Sequence, residues 1–328
     1  MRSIELHVEI EEWPRKRPLR ITGYTFESVR VVVVTLRKDG HAGRGEAAGA
    51  YYKNETAEAM ISQIEKVRPI IEGGMDRKGL QALLPSGGAR NALDCALWDL
   101  DAKITGRPAW QLAGLEKPRP LLTTFTCGAD QPEAMALTAR GFTGARALKL
   151  KLTGEPIDAD RVRAVREARP DVWLSVDANQ GFTRGFLEKF MTVLVEAEVA
   201  LVEQPFAMGQ ESLLEGFQSP IPIAADESVQ DLARVSDLAG RFQMANIKLD
   251  KCGGLTEGFA MARALREFGL DVMVGCMGGT SLAMAPAFLL GQLCDVVDLD
   301  GPAFLSRDRT DAVRYVDGSI DASQAGWG

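Results

Sequence analysis

From about residue 120 onward the chain repeats one pattern: a short apolar run, a polar end, an amphipathic stretch, then the next run. The runs are LLTTFTCG, ALKLKL, VWLSVDAN, VALVEQP, IPIAADES, MANIKLDK, LDVMVGCM and DVVDLDGP, ending near 127, 151, 177, 203, 226, 248, 275 and 298. Steps of about 22 to 27 residues suit one strand, one helix and two loops. Eight such βα units predict a TIM-like barrel. An open doubly wound sheet is the alternative, but no GxGxxG follows the first run.

The N-terminal third reads as α+β. Residues 3–10 alternate as a strand does, and 29–36 are rich in β-branched side chains. The Gly/Ala-rich segment 40–52 is predicted as a loop. Helices are predicted over about 55–73 and 86–104, the second with Ala92, Leu93, Ala96, Leu97 and Leu100 on one face. After about 305 the period stops. RYVD and GSID around an Asp-Gly predict two short strands that return to the N-terminal domain.

Composition narrows the function classes. The net charge is -7, from 38 Lys+Arg against 45 Asp+Glu. That argues against nucleic acid or an anionic membrane and favours a small-molecule substrate. With 46% apolar and 25% charged residues the chain fits a soluble globular enzyme. Cys95, Cys127, Cys252, Cys276 and Cys294 are scattered, with no CxxC, which predicts a reduced, cytoplasmic compartment. The N-terminus MRSIELHVEIEEWPRKRP lacks the apolar stretch of a signal peptide, and no run is long enough for a membrane helix. The histidines are His7 and His41, both early in the chain. Acid–base chemistry in the barrel must therefore use Lys, Asp, Glu, Tyr or Cys.

Barrel enzymes carry their reactive groups at the C-terminal ends of the strands. Three successive runs end in a carboxylate: Asp177, Glu203 and Asp226. Neighbouring strands lie about 4.8 Å apart, so these charges repel unless a cation intervenes. Oxygen ligands without His or Cys indicate Mg2+ or Mn2+. Three separate rim salt bridges are the competing reading. Lysines flank the set, Lys149 and Lys151 before it and Lys248 after it. Period-two alternation puts Lys149 and Lys151 on one face. A cation and a second lysine nearby both favour the neutral, basic form of an amine. A substrate carboxylate on the metal makes the α-proton acidic, and Lys149 helps to hold the enolate. Lys151 and Lys248 then serve as an acid/base pair on opposite faces, which inverts configuration.

These residues resemble the enolase superfamily over almost the whole length. The match includes ARNALDCALWDL (89–100), the KxK of the second run, the Asp, Glu, Asp set and NIKLDKCGG (246–254). The resemblance implies a modified TIM barrel, (β/α)7β, with an α+β capping domain. The cap would span 1–115, completed by the tail 305–328, and the barrel 116–304. The lysine pair resembles the muconate-lactonizing-like subgroup, and Asp298-Leu-Asp300 is similar to dipeptide epimerases of the L-Ala-D/L-Glu type. There the two carboxylates bind the substrate's free α-ammonium. By the same resemblance Thr124 and Cys276 line the substrate site, although a buried structural cysteine competes with the latter. Residues 278–280 line the pocket, and the enzyme is a homo-oligomer.

One position departs from the pattern. Ala-Glu epimerases carry a basic residue in a capping loop, and the register here puts Phe26 there, with Arg20 offset. An apolar or aromatic C-terminal residue, or a different acyl group, is therefore open. The competing activities are racemisation of an N-acetyl or N-succinyl amino acid and an o-succinylbenzoate synthase-like elimination. Asp298 and Asp300 suit neither, because those substrates lack a free ammonium. A non-catalytic binder would have no need of both lysines.

Overall fold

The structure, a computed structural model, describes residues 4–328. Its N-terminal part is an antiparallel sheet of β1 (Glu5–Ile21), β2 (Tyr24–Lys38) and β3 (His41–Ala47), in that order. Residue 3, the first of the predicted strand, lies outside the described residues. Both predicted strands run on well past their expected ends, because β1 and β2 pair as one long hairpin. The valine run of β2 is buried on both faces. Val29, Val31 and Val33 join the core shared with the barrel, while Val32, Val34 and Leu36 join the core of the N-terminal helices. Strand alternation produces that split.

The helices are α1 (Ala57–Glu72), α2 (Arg77–Leu83) and α3 (Gly88–Thr105). The segment predicted as a loop over 40–52 instead supplies β3. Its glycines answer to packing: a Cβ on Gly43 would stand 2.3 Å from the Ala96 carbonyl oxygen, and one on Gly45 2.1 Å from that of Ala92. α3 therefore lies directly on the backbone of β3.

After α4 (Ala109–Leu112) and β4 (Leu121–Leu122) the barrel begins. It runs β5 (Phe125–Cys127), α5 (Pro132–Gly141), β6 (Ala147–Lys151), α6 (Asp158–Ala168), β7 (Trp173–Asp177), α7 (Arg184–Glu196) and β8 (Val199–Glu203). It continues through β9 (Ile223–Ala225), β10 (Met244–Lys248), α8 (Leu249–Cys252), α9 (Leu255–Glu267), β11 (Asp271–Gly275), α10 (Ser281–Gly291) and β12 (Val296–Asp298). The eight strands pair in sequence order as a parallel sheet. The ends meet where the Thr124 amide donates to Val297 O at 3.0 Å. That is the barrel, not the doubly wound sheet. Its period is uneven: β8 and β9 are each followed by a 3-10 turn, Glu211–Leu214 and Leu232–Leu238, in place of an α-helix.

The tail forms the predicted hairpin, β13 (Arg314–Val316) and β14 (Ser319–Asp321). Asp317 and Gly318 turn it with φ of 50° and 73°. These strands pair with β4 beside the barrel and do not extend the N-terminal sheet. Ile320 is the reason, since it packs into the barrel core opposite Leu121. The last residues do reach the cap: Trp327 Nε1 donates to Arg44 O at 2.9 Å and the Gly328 amide to Asp99 Oδ1 at 2.8 Å.

Buried carboxylates clasp cap to barrel. Asp250 accepts the amides of Ala48 at 2.9 Å and Gly49 at 3.1 Å, and Glu46 accepts that of Thr280 at 2.7 Å. The turn after β3 is thereby fixed over the barrel mouth. Among the described residues no helix is long and apolar enough to cross a membrane.

Candidate active site

Strand register assembles the site. Lys151 stands opposite Asp177, and Asp177 opposite Glu203. Across the mouth Lys248 stands opposite Gly275, and Gly275 opposite Asp298. Asp226 follows the last residue of β9. A side chain at Gly275 would put a Cβ 3.1 Å from Lys248 Cε, so glycine clears the path along which that lysine enters.

The acceptor oxygens of Asp177, Glu203 and Asp226 lie within 4.8 Å of one another, and all three residues are buried. Around them Asn179 Oδ1, Glu227 Oε2 and Asn246 Oδ1 are buried without a hydrogen-bond partner. Asn179 meanwhile bonds Asp177, and Asn246 Nδ2 donates to Glu203 Oε1 at 2.7 Å. A surplus of buried oxygen acceptors around three carboxylates suits a hard cation, so the residues present can hold a metal.

The surrounding charges are paired. Lys151 Nζ is 2.5 Å from Asp177 Oδ2, and Lys248 Nζ 2.6 Å from Asp226 Oδ2. Lys251 Nζ reaches the other Asp226 oxygen at 2.6 Å. Lys149 is bonded to Asp298 and lies 3.4 Å from Glu203. Burial pushes Glu203 up to about 7, with Asp177 adding to it and Lys149 opposing. Burial also acts against ionised Asp226, but Lys248 and Lys251 outweigh it and hold that carboxyl well below its usual range. Burial would lower Lys248, yet Asp226 and Glu203 overcome it and keep the amine protonated far above its ordinary value. Charge compensation at the three carboxylates is what would release a proton from it.

Between cap and barrel lies a cavity of about 550 Å³, lined from below by Lys149, Lys151, Lys248, Asp298, Asp300 and Cys276. Phe26 and Tyr51 close it from the cap, their rings 5.2 Å apart edge to face. The triad carboxylates sit beneath the lysines. Asp300 accepts the Thr126 amide at 2.7 Å, and burial with Asp298 beside it raises it to about 6.

Three expected lining residues, Thr124, Gly279 and Thr280, are placed elsewhere. Thr124 is buried under the cavity floor, where its hydroxyl donates to Asp298, and Thr126 two residues on takes the wall. Of 278–280 Gly278 lines the cavity, while Thr280 is turned away and bonded to Glu46. Arg20 is paired at the surface with Asp130 at 3.2 Å. Cys276 does line the cavity, and its thiol is pushed up to about 12 by burial with Asp300 and Asp298 nearby. Sequence reading missed Asn246 and Thr126, although period-two spacing from Lys248 and Thr124 marks both. It also missed Arg15, Tyr51 and Lys251, which reach the site through a bulge, a turn and the first turn of α8.

A parallel barrel with a KxK strand, three strand-end carboxylates and an opposing lysine is an arrangement that could hold a metal and move a proton. The chain belongs to the enolase superfamily: residues 3–114 match the mandelate racemase / muconate lactonizing enzyme N-terminal domain, and 132–328 the enolase C-terminal domain-like family. It is 38% identical to the L-Ala-D/L-Glu epimerase of Escherichia coli, over 98% of this chain and 99% of that one. It is 40% identical to an N-acetyl-D-glutamate racemase of a Pseudoalteromonas species, over 76% of this chain and 79% of the relative. A crystal structure from Agrobacterium tumefaciens, an enolase family member with homology to dipeptide epimerases, superposes with a TM-score of 0.96 at 36% identity. It covers 99% of this chain and 100% of that one, and contains sodium and L-Ala-L-Glu.

Proposed function

We propose that this chain is a dipeptide epimerase, an isomerase that inverts the α-carbon of the C-terminal residue by 1,1-proton transfer. The observation that carries the reading is the placement of Lys151 and Lys248. They come from β6 and β10, on either side of the carboxylates of β7 to β9, and both reach one cavity. Asp177, Glu203 and Asp226 would hold Mg2+, or Mn2+ in its place, which when bound would supply positive charge for the substrate carboxylate and make the α-proton more acidic. Lys149 stabilises the negative charge that develops on the carboxylate oxygens. One of Lys151 and Lys248 takes the α-proton and the other returns a proton to the opposite face. Asp298 and Asp300 receive the α-ammonium of the N-terminal residue, a cation matched to two buried carboxylates. The cap, 1–115 joined by the last residues Trp327 and Gly328, covers the barrel and excludes water. The working enzyme is a homo-oligomer in the cytoplasm.

A second reading is racemisation of an N-acyl amino acid, favoured by the 40% identity to an N-acetyl-D-glutamate racemase. It leaves Asp298 and Asp300 without an ammonium to bind. The deciding experiment is proton NMR in deuterium oxide with Mg2+, on a pool of L,L-dipeptides beside N-acetyl and N-succinyl amino acids. Loss of α-proton signal from dipeptides alone supports the epimerase. Exchange in the N-acyl compounds alone moves the protein to the second reading. Exchange in neither pool rejects both.

A further inference from the structure

Arg15 lines the cavity and takes no part in the acid–base apparatus. A break in the β1–β2 ladder delivers it: Pro14 faces Ser28 whereas Leu19 faces Phe26, so the intervening residues of β1 bulge out. Pro14 and Pro18 bracket the bulge, and neither has an amide to return to the ladder. The bulge is pinned to the segment after β12. Arg15 bridges Leu305, the Ser306 amide donates to Pro14 O at 2.8 Å, and Lys16 Nζ donates to Ala303 O at 2.9 Å. Its position is therefore set by backbone on both sides.

Three other arginines around the cap are committed. Arg20 pairs with Asp130 at 3.2 Å, Arg30 with Glu58 at 2.6 Å, and Arg309 with Glu46 at 2.7 Å. Among the described residues the Arg15 side chain makes no ion pair or hydrogen bond, and its Nε is buried without a partner. Burial pushes the group down from its usual range, with Asp300 and Cys276 opposing. Hiding guanidinium donors from water without an acceptor is unfavourable, and a ligand that brings the acceptor relieves it.

The position within the mouth says which part of a ligand is read. A Cβ on Gly278 would stand 3.5 Å from Arg15 Nη2. Gly278, Cys276 and Asp300 follow β11 and β12, whereas the carboxylate triad belongs to β7, β8 and the end of β9. A substrate with its reacting carboxylate at the triad extends its other end towards Arg15.

We propose that Arg15 reads a carboxylate on the N-terminal residue of the substrate, so that the site prefers dipeptides beginning with Asp or Glu. The α-ammonium goes to Asp298 and Asp300, and the side-chain carboxylate of the same residue to the Arg15 fork. This assignment rests on the dipeptide-epimerase reading.

The test compares kcat/KM for Glu-Ala, Asp-Ala, Ala-Ala, Lys-Ala and Ala-Glu in the wild type, Arg15→Met and Arg15→Lys. The wild type is expected to favour an acidic first residue over Ala-Ala by at least about tenfold, mainly through KM. That ratio should fall towards one in Arg15→Met and recover in part in Arg15→Lys. A merely structural Arg15 would lower all five substrates by one factor and leave the ratio unchanged, which overturns the proposal. So does a wild type that handles Ala-Ala as well as Glu-Ala, whatever the variants do. A preference for Ala-Glu that Arg15→Met abolishes also overturns it, because the carboxylate read would then be on the second residue. Turnover of neutral dipeptides without acidic preference leaves the epimerase reading intact. Turnover of none rejects that reading and this one with it.

Discussion

Lys248→Ala tests the two-base reading, because the surrounding charges tolerate the loss. Asp226 lies 2.6 Å from Lys248 and keeps a second cation in Lys251, also at 2.6 Å, so no buried carboxylate is stranded. The cost to folding is the lost burial of the lysine stem beyond Cβ, about 2.4 kcal/mol at roughly 0.8 kcal/mol per CH2. The cost to chemistry is larger. A positioned acid–base group contributes about 10²- to 10⁴-fold, and inversion needs one on each face, so epimerisation should fall by at least about 10³-fold, or about 4 kcal/mol. Lys151 still reaches one face, so one epimer should continue to exchange its α-proton with solvent. Each pure epimer is incubated in deuterium oxide, α-proton loss is followed by NMR, and a circular-dichroism melt checks the fold. Lys151→Ala should exchange the opposite epimer. There Asp177 keeps the Asn179 amide at 2.8 Å and Lys149 at 3.9 Å. Undiminished epimerisation by Lys248→Ala, or exchange of both epimers, would refute the mechanism.

Other tests bear on the metal, the ammonium subsite and the clasp. EDTA should abolish turnover and lower Tm, and Mg2+ should restore both; turnover by verified metal-free protein would remove the metal role. Asp298→Asn with Asp300→Asn should damage dipeptide turnover far more than any N-acyl amino acid turnover, and equal loss would remove the ammonium assignment. Asp250 is raised to about 6, chiefly by burial and against the pull of the Gly49 amide. Between about pH 4 and 6 the folded state keeps this proton and the unfolded state has lost it, so rising pH favours unfolding through this group. Asp250→Asn removes that slope. Its stability relative to wild type should therefore rise by up to about 3 kcal/mol from pH 4 to 7 in urea titrations, and a pH-independent difference would contradict the assignment.

Much of this protein was legible from local rules. A strand's period of two and the length of a βα unit are properties of the backbone. The eight runs therefore marked the barrel, and their ends marked Lys149, Lys151, Asp177, Glu203, Asp226, Lys248, Asp298 and Asp300. The same rules mistook β3 for a loop, since Gly43 and Gly45 are small to admit α3, a partner some fifty residues away in sequence. They assigned the tail's strands to the N-terminal domain, whereas these pair with β4, where Ile320 stands opposite Leu121, and only the last residues reach the cap. Thr124, just before β5, and Thr126 within it have the same parity, and only the closure of β5 against β12 decides which of them meets Asp298 and which the cavity. Arg15 is the clearest case. Nothing in WPRKRP distinguishes it from Arg17, and its partial burial follows from a ladder break pinned to residues nearly three hundred positions later. Local sequence determined which groups stand at strand ends, because covalent geometry alone sets that. Which groups are paired, buried or left facing a substrate was decided by tertiary packing, because charge balance and desolvation depend on neighbours that only the folded chain brings together.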